Sequence, residues 1–214
     1  MYKFIARLLV LSTSLALAAG QAGAAVIGVA GGTAAPAATL GLYTMTPFQD
    51  DTRPIFDDVS SVVSPLGGAV QFSIPLSHRE IGSGWATWSH GYTGDVYFTE
   101  GALSVALALP VYTAAFYFYA EPNPFDAFDI TAITATGESI TQAVAGASGA
   151  SYFGFYTTGA SLLSSIIVSS RVDFAIGEFG IAARQTVPVP ATLWLLGVGL
   201  AGLGLATRRR IPSV

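Results

Sequence analysis

Between residues 67 and 184 apolar and polar positions alternate with a period of two. Val70, Phe72 and Ile74 are interleaved with Gln71 and Ser73, and Leu103, Val105, Leu107 and Leu109 with serine and alanine. Phe116 and Phe118 alternate with Tyr117 and Tyr119, and Val96 and Phe98 repeat the spacing. Successive side chains of a strand point to opposite faces, so such runs predict half-buried strands and not helices. Further strands fit residues 128–136, 139–144, 152–157, 164–169 and 172–182, most of them separated by Gly, Pro or Asn. About eight or nine short strands with turn residues between them predict an all-β domain, an antiparallel jelly-roll-like β-sandwich, with a closed barrel as the alternative. Residues 26–64 are richer in Gly, Ala, Thr and Pro and predict an irregular start holding one or two strands.

One position breaks the alternation. Val172, Phe174 and Ile176 set one face of a strand, which would place Glu178 on that face too, whereas Phe179 and Ile181 take the opposite phase. Either a bulge at Gly177 rephases the strand, or Glu178 is buried against a partner such as Arg171, Arg184 or a calcium ion.

The two ends follow other patterns. Lys3 and Arg7 precede an apolar run over residues 8–19 and small residues ending Ala22-Gly23-Ala24. This is the three-part layout of a secretory signal peptide over residues 1–24, cleaved after Ala24 by the secretion machinery. At the other end Val187-Pro188-Val189-Pro190 leads into an apolar stretch over residues 191–207 and then Arg208, Arg209 and Arg210. As a helix that stretch rises about 25 Å, enough to cross a bilayer core with little tilt, and the arginines would hold its far end in the cytoplasm. Residues 25–186 remain as one domain, about the usual size for a single core.

The Val-Pro-x-Pro-Ala start, the Leu-Leu-Gly-x-Gly-Leu helix and the basic cluster together resemble the PEP-CTERM sorting signal, here residues 187–214. Val189 stands where the namesake Pro-Glu-Pro motif has its glutamate. The resemblance implies recognition by exosortase, a membrane protease that cuts near the prolines, in Gram-negative bacteria that make exopolysaccharide. It implies an exported protein, anchored in the inner membrane before processing and then at the cell surface or outside. The middle also resembles a recurring passenger of this family, through Gly84-Trp85-Ala86-Thr87-Trp88-Ser89-His90-Gly91-Tyr92, Phe116-Tyr117-Phe118-Tyr119-Ala120-Glu121 and Phe174-Ala175-Ile176-Gly177-Glu178-Phe179. Such passengers look like carbohydrate-binding jelly rolls, a likeness of fold that carries no ligand with it.

Composition narrows the function classes. With 52% hydrophobic and 10% charged residues the chain is too apolar to be disordered. Net charge is −4 with three of nine basic residues at the extreme C-terminus, so nothing resembles a nucleic-acid footprint. The absence of cysteine removes disulfides, thiolate metal sites and cysteine nucleophiles.

Within the domain, Trp85, Trp88, His90 and Tyr92 occupy one glycine-flanked stretch, where aromatic faces could stack on sugar rings or simply plug the sandwich edge. His78 and His90 have no metal-ligand spacing, and Gly82-Ser83-Gly84 is too short for a nucleophile elbow. Asp50, Asp51, Asp57 and Asp58 gather before the first clear strand, and Glu121, Asp126 and Asp129 surround a Pro-Asn-Pro loop. Hard oxygens on loops suit calcium, with Asp126, Asp129 and Glu178 as candidate ligands, although such groups commonly just solvate turns. The expectation is therefore a non-enzymatic surface or matrix protein that faces polysaccharide and needs no cofactor. A secreted glycan-active enzyme and a purely structural adhesive domain are the alternatives.

Overall fold

The computed structural model describes residues 25–184, and the signal segment 1–24 and sorting segment 187–214, with its apolar stretch 191–207, lie outside the described residues. Fifteen strands follow in chain order: β1 (Val26–Gly32), β2 (Thr39–Leu40), β3 (Tyr43–Thr44), β4 (Thr46–Pro47), β5 (Asp58–Val63), β6 (Ala69–Ile81), β7 (Gly84–Trp85) and β8 (Asp95–Phe98), then β9 (Ser104–Ala108), β10 (Thr113–Asn123), β11 (Ala127–Thr134), β12 (Ser139–Ala145), β13 (Ser151–Thr157), β14 (Ser165–Ser170) and β15 (Asp173–Ala183). One 3-10 turn, Gly146–Ser148, interrupts them, and no helix among the described residues is long and apolar enough to cross a membrane.

The all-β expectation holds. Ten strands form one continuous path, β1-β13-β10-β15-β8-β6-β9-β14-β11-β12, in which every neighbouring pair is antiparallel, and β4, β5 and β7 pair onto its flanks. The path curls until its ends nearly meet. A Cβ on Gly28 of β1 would lie 2.7 Å from the Ile140 side chain of β12, so only glycine permits that approach. The inward side chains then converge in one cluster, with Phe116, Phe118, Phe153, Phe155, Ile130 and Leu107 among its fully buried members. Aromatic rings fill much of it: Phe118 stacks on Phe153, and Tyr97 lies parallel to Phe179.

The middle strands of the path are buried on both faces. Along β10 the residues Thr113 to Pro122 are all buried, so Tyr117 and Tyr119 are covered as completely as Phe116 and Phe118. Leu40, Tyr43, Met45, Tyr152 and Trp88 supply the cover over this outer face. Tyr119 donates its hydroxyl to the Ala34 carbonyl at 2.5 Å, which satisfies a polar atom that the cover would otherwise strand. Gly180 makes room for the ring of Tyr117, since a Cβ there would come within 2.1 Å of it.

Strand bounds from periodicity fall within two residues of those observed for β11 to β15. Three readings need correction. Residues 26–64 hold five strands and not one or two; β1 pairs along β13, and β5 pairs with β6 and buries Val59 and Val62. Val96 and Phe98 pack on the outer face under Trp85, while Tyr97 between them enters the core. Leu103, read as part of a strand, precedes β9 and is exposed.

Candidate functional site

The long connection from β6 to β8 folds back over the outer face of β10, β15 and β8. Its anchors are two indoles hydrogen-bonded to two carboxylates. Trp85 is buried and donates Nε1–H to Glu121 Oε2, and Thr87 donates its hydroxyl to Glu121 Oε1 at 2.9 Å. Glu121 lies fully buried on β10. Burial pushes its carboxyl up to about 7, against the pull of the two hydrogen bonds.

Three residues along the loop the arrangement repeats. Trp88 donates Nε1–H to Glu178 Oε2 at 3.0 Å, and His90 Nε2 lies 3.1 Å from the same oxygen. Burial raises Glu178 to about 7, against the pull of the Trp88 bond, and lowers His90 from its ordinary value. The broken alternation at Glu178 is a β-bulge. Tyr119 pairs with Gly177 and Tyr117 with Gly180, so an extra residue is looped out between them, and Glu178 takes a left-handed φ of 50°. Its partners are Trp88 and His90, not Arg171 or Arg184, because Arg184 donates to the Gly159 and Ser161 carbonyls.

Tyr92 completes the stretch, its ring tilted against Trp88 and its hydroxyl donating to the Asp95 carbonyl at 3.1 Å. The structure thus brings Trp85, Trp88, His90 and Tyr92 together as a clamp whose polar atoms bind the domain itself. Asp126 and Asp129 stand apart from Glu178. Asp126 accepts from the Ala127 amide at 2.7 Å, and Asp129 is exposed on β11. Among the described residues no group of three or more His, Cys, Asp or Glu is placed to hold a metal ion.

A charged network fixes the segment between β4 and β5. His78 is buried, with Nδ1 at 3.1 Å from the Pro54 carbonyl and Nε2 at 2.7 Å from Asp95 Oδ1. Both ring nitrogens face acceptors, so the doubly protonated imidazolium satisfies them; although burial opposes charge, these bonds raise its pKa. Asp95 also accepts from the Asp51 amide at 2.6 Å. Asp51 in turn accepts from Arg53 and from the Tyr97 hydroxyl, which against the cost of burial hold its carboxyl down to about 2.

Beside Trp85 opens a cleft of about 560 Å³ whose walls include Phe56, Arg79, Trp85, Phe98, Asn123 and Phe125. Phe56 and Phe125 are exposed. The Arg79 guanidinium lies 4.2 Å over the Phe56 ring and donates to Glu100 Oε1 at 2.8 Å, so its plane is fixed from two sides. Phe56 has a φ of 74°, a left-handed conformation that a bulky residue adopts at a cost of about 1 kcal/mol or more. Its amide, bonded to the His78 carbonyl at 2.8 Å, holds it there. An open trough of aromatic faces with Arg and Asn at its edges can stack on a sugar ring and hydrogen-bond its hydroxyls. Of these walls sequence reasoning named only Trp85 as a site residue. The available signal was Phe125, a large ring between Pro124 and Asp126 in a turn where no core can take it.

A family model of the PEP-CTERM protein-sorting motif matches residues 186–210, beginning just beyond the end of β15 at Ala183. No curated protein matches the chain.

Proposed function

From a tail that carries a PEP-CTERM sorting motif, we propose that this chain is an exported surface or matrix protein, handled by exosortase at the membrane, whose domain is a non-enzymatic passenger facing polysaccharide. The observation that carries the reading is the abutment of fold and motif: β15 ends at Ala183 and the motif begins at residue 186. Nothing but the passenger lies between the expected export signal and the sorting signal. We read the nearly closed sheet as a jelly-roll-like passenger.

The cleft walled by Phe56, Arg79, Trp85, Asn123 and Phe125 is the binding site in this reading. A glycan hydrolase would need a pair of carboxylates free to flank a scissile bond. The two carboxylates under the 84–92 loop are instead engaged by Trp85, Thr87, Trp88 and His90, which favours the binding role.

Protein recovered from the cell envelope and the medium tests both halves. Intact mass is expected to give a chain that starts near Ala25 and ends between Val187 and Pro190; a chain retaining residues 191–210 would overturn sorting. The same material is expected to co-sediment with the producing cell's exopolysaccharide, and to do so about tenfold more weakly with Phe125→Ala. Equal retention of wild type and F125A would remove the cleft from the reading, as would failure of both to bind.

A further inference from the structure

Both terminal segments leave the fold on one rim. Ala25 and Thr158 are tied by two backbone-linked hydrogen bonds, Thr158 N–H to the Ala25 carbonyl at 2.7 Å and Ala25 N–H to Thr158 Oγ1 at 3.1 Å. On the same rim Arg184, the last described residue, donates its amide to the Tyr112 carbonyl at 3.2 Å and its guanidinium to the Gly159 carbonyl at 2.6 Å. Tyr112 in turn reaches the loop before β6, with its hydroxyl 2.7 Å from Ser64 Oγ and donating to the Gly67 carbonyl. Three loops, residues 64–68, 109–112 and 158–163, therefore surround the point where the chain departs.

These loops expose large apolar side chains and carry no charge of their own; Asp50, Asp51 and Arg53 line a cavity with Val62 to Pro65 on one flank. Val111 is 88% exposed and Val63, at the end of β5, is 76%; Leu66 and Leu162 are 41% and 39% exposed. Across residues 63–68, 109–112 and 158–163 there is no Asp, Glu, Lys or Arg, in a chain with 13 acidic residues. A patch of this kind on a folded domain marks a surface that meets something apolar.

The length of chain beyond Arg184 identifies the occupant. Only residues 185–190 separate Arg184 from the apolar stretch that begins at Ala191, and six extended residues span about 20 Å at most. The polar layer of a bilayer is about 5–8 Å deep on each side. The geometry points to a lipid contact: before the tail is cut, the rim of Val63, Leu66, Val111, Tyr112 and Leu162 rests in the outer interfacial layer of the bilayer that residues 191–207 enter. This rests on the reading of those residues as a membrane segment. Uncharged loops lose little hydration there, and Tyr112 has the apolar body and polar tip suited to that depth. Cleavage then frees the domain from a surface that held it by position as well as by its tail.

The absence of cysteine allows the test to be made on the whole precursor, reconstituted into phosphatidylcholine vesicles. Single variants Val111→Cys, Leu162→Cys, Ser83→Cys and Gly199→Cys carry an environment-sensitive fluorophore, read with and without lipids bearing a quencher at the headgroup–acyl boundary. Labels at 111 and 162 are expected to shift to the blue and lose most of their emission to the lipid quencher, as at 199, while the label at 83 stays water-exposed. If 199 is quenched and 111 and 162 behave like 83, the lipid contact falls while the tail reading stands. If 199 itself is unquenched, the membrane reading falls and the contact with it. Shielding at 111 and 162 from water without lipid quenching would place a second copy on the rim and overturn the lipid contact. Circular dichroism of each labelled variant separates these outcomes from misfolding.

Discussion

Along β15 from Asp173 to the bulge at Glu178 the domain buries ionisable groups, and beyond its Ala183 end it exposes apolar ones. The first region holds Glu121, Glu178, His78 and Asp95 in hydrogen-bonded networks under the 84–92 loop. Asp51 of the β4–β5 segment, which also lines a cavity with Val62, Val63 and Ser64, links it to the second. The three loops of the second have no charged side chain of their own; Arg184 beside them spends its guanidinium on backbone carbonyls, and Asp50, Asp51 and Arg53 flank only the Val63 side. The contrast assigns separate jobs to the two regions. Burying a carboxyl couples folding to pH, whereas an exposed valine adds almost nothing to folding and so reports what the surface meets.

The largest test of that division is truncation. Trp85→Ala removes a buried ring and the donor that satisfies Glu121, and should cost about 3–5 kcal/mol in urea unfolding. Val111→Ala on the rim should change stability by less than about 0.5 kcal/mol. Comparable losses at both positions would erase the distinction.

The pH profile comes next. Glu121 and Glu178 titrate in the fold near about 7, above their ordinary 4.5, so the folded state holds protons that the unfolded chain releases. Stability should therefore fall as pH rises from 4.5 to about 7, by on the order of several kcal/mol for the two carboxyls together. His78, also raised, contributes below its ordinary 6.5 and loses that contribution as pH climbs through its folded value. Asp51 acts at the other extreme, stabilising above 3.8 and ceasing to do so as pH falls through about 2. Urea midpoints from about pH 3 to about pH 9 should peak in mild acid. The double variant Glu121→Gln, Glu178→Gln should flatten the decline toward neutrality; an unchanged slope would move its origin elsewhere.

Two smaller effects sharpen the picture. Phe125→Ala should weaken polysaccharide binding about tenfold, roughly 1.4 kcal/mol, with little change in unfolding, since the ring is exposed. Val111→Asp should leave the unfolding midpoint within about 0.5 kcal/mol of wild type while abolishing lipid contact of the precursor.

The strands were legible wherever one side of the sheet faces the core. Val70 and Phe72 alternate with Gln71 and Ser73, and Val105 and Leu107 with Ser104 and small alanines, because those neighbours face away from the core. Along β10 the same rule described the inner face and missed the outer one, since Tyr117 and Tyr119 are covered by residues over 60 positions earlier in the chain, such as Leu40 and Met45. Glu178 announced its bulge because a charge in an apolar phase conflicts with a period of two. Its partners did not announce themselves. Trp88 and Glu178 are 90 residues apart, and a single hydrogen bond between a loop and a distant strand leaves no local pattern. The cleft was hidden for the same reason, being assembled from Phe56, Arg79 and Phe125, which the fold alone brings together.

The placement of β15 also bears on the order of events during biogenesis. It is hydrogen-bonded to β10 on one side and to β8 and β4 on the other, so a chain that stops before Asp173 lacks the strand that joins β1, β13 and β10 to the rest of the sheet. In a polypeptide delivered N-terminus first, the passenger closes only when residue 183 has emerged, with 185–214 immediately behind it. A completed fold thus doubles as a clock, because it marks the moment at which the sorting motif has arrived.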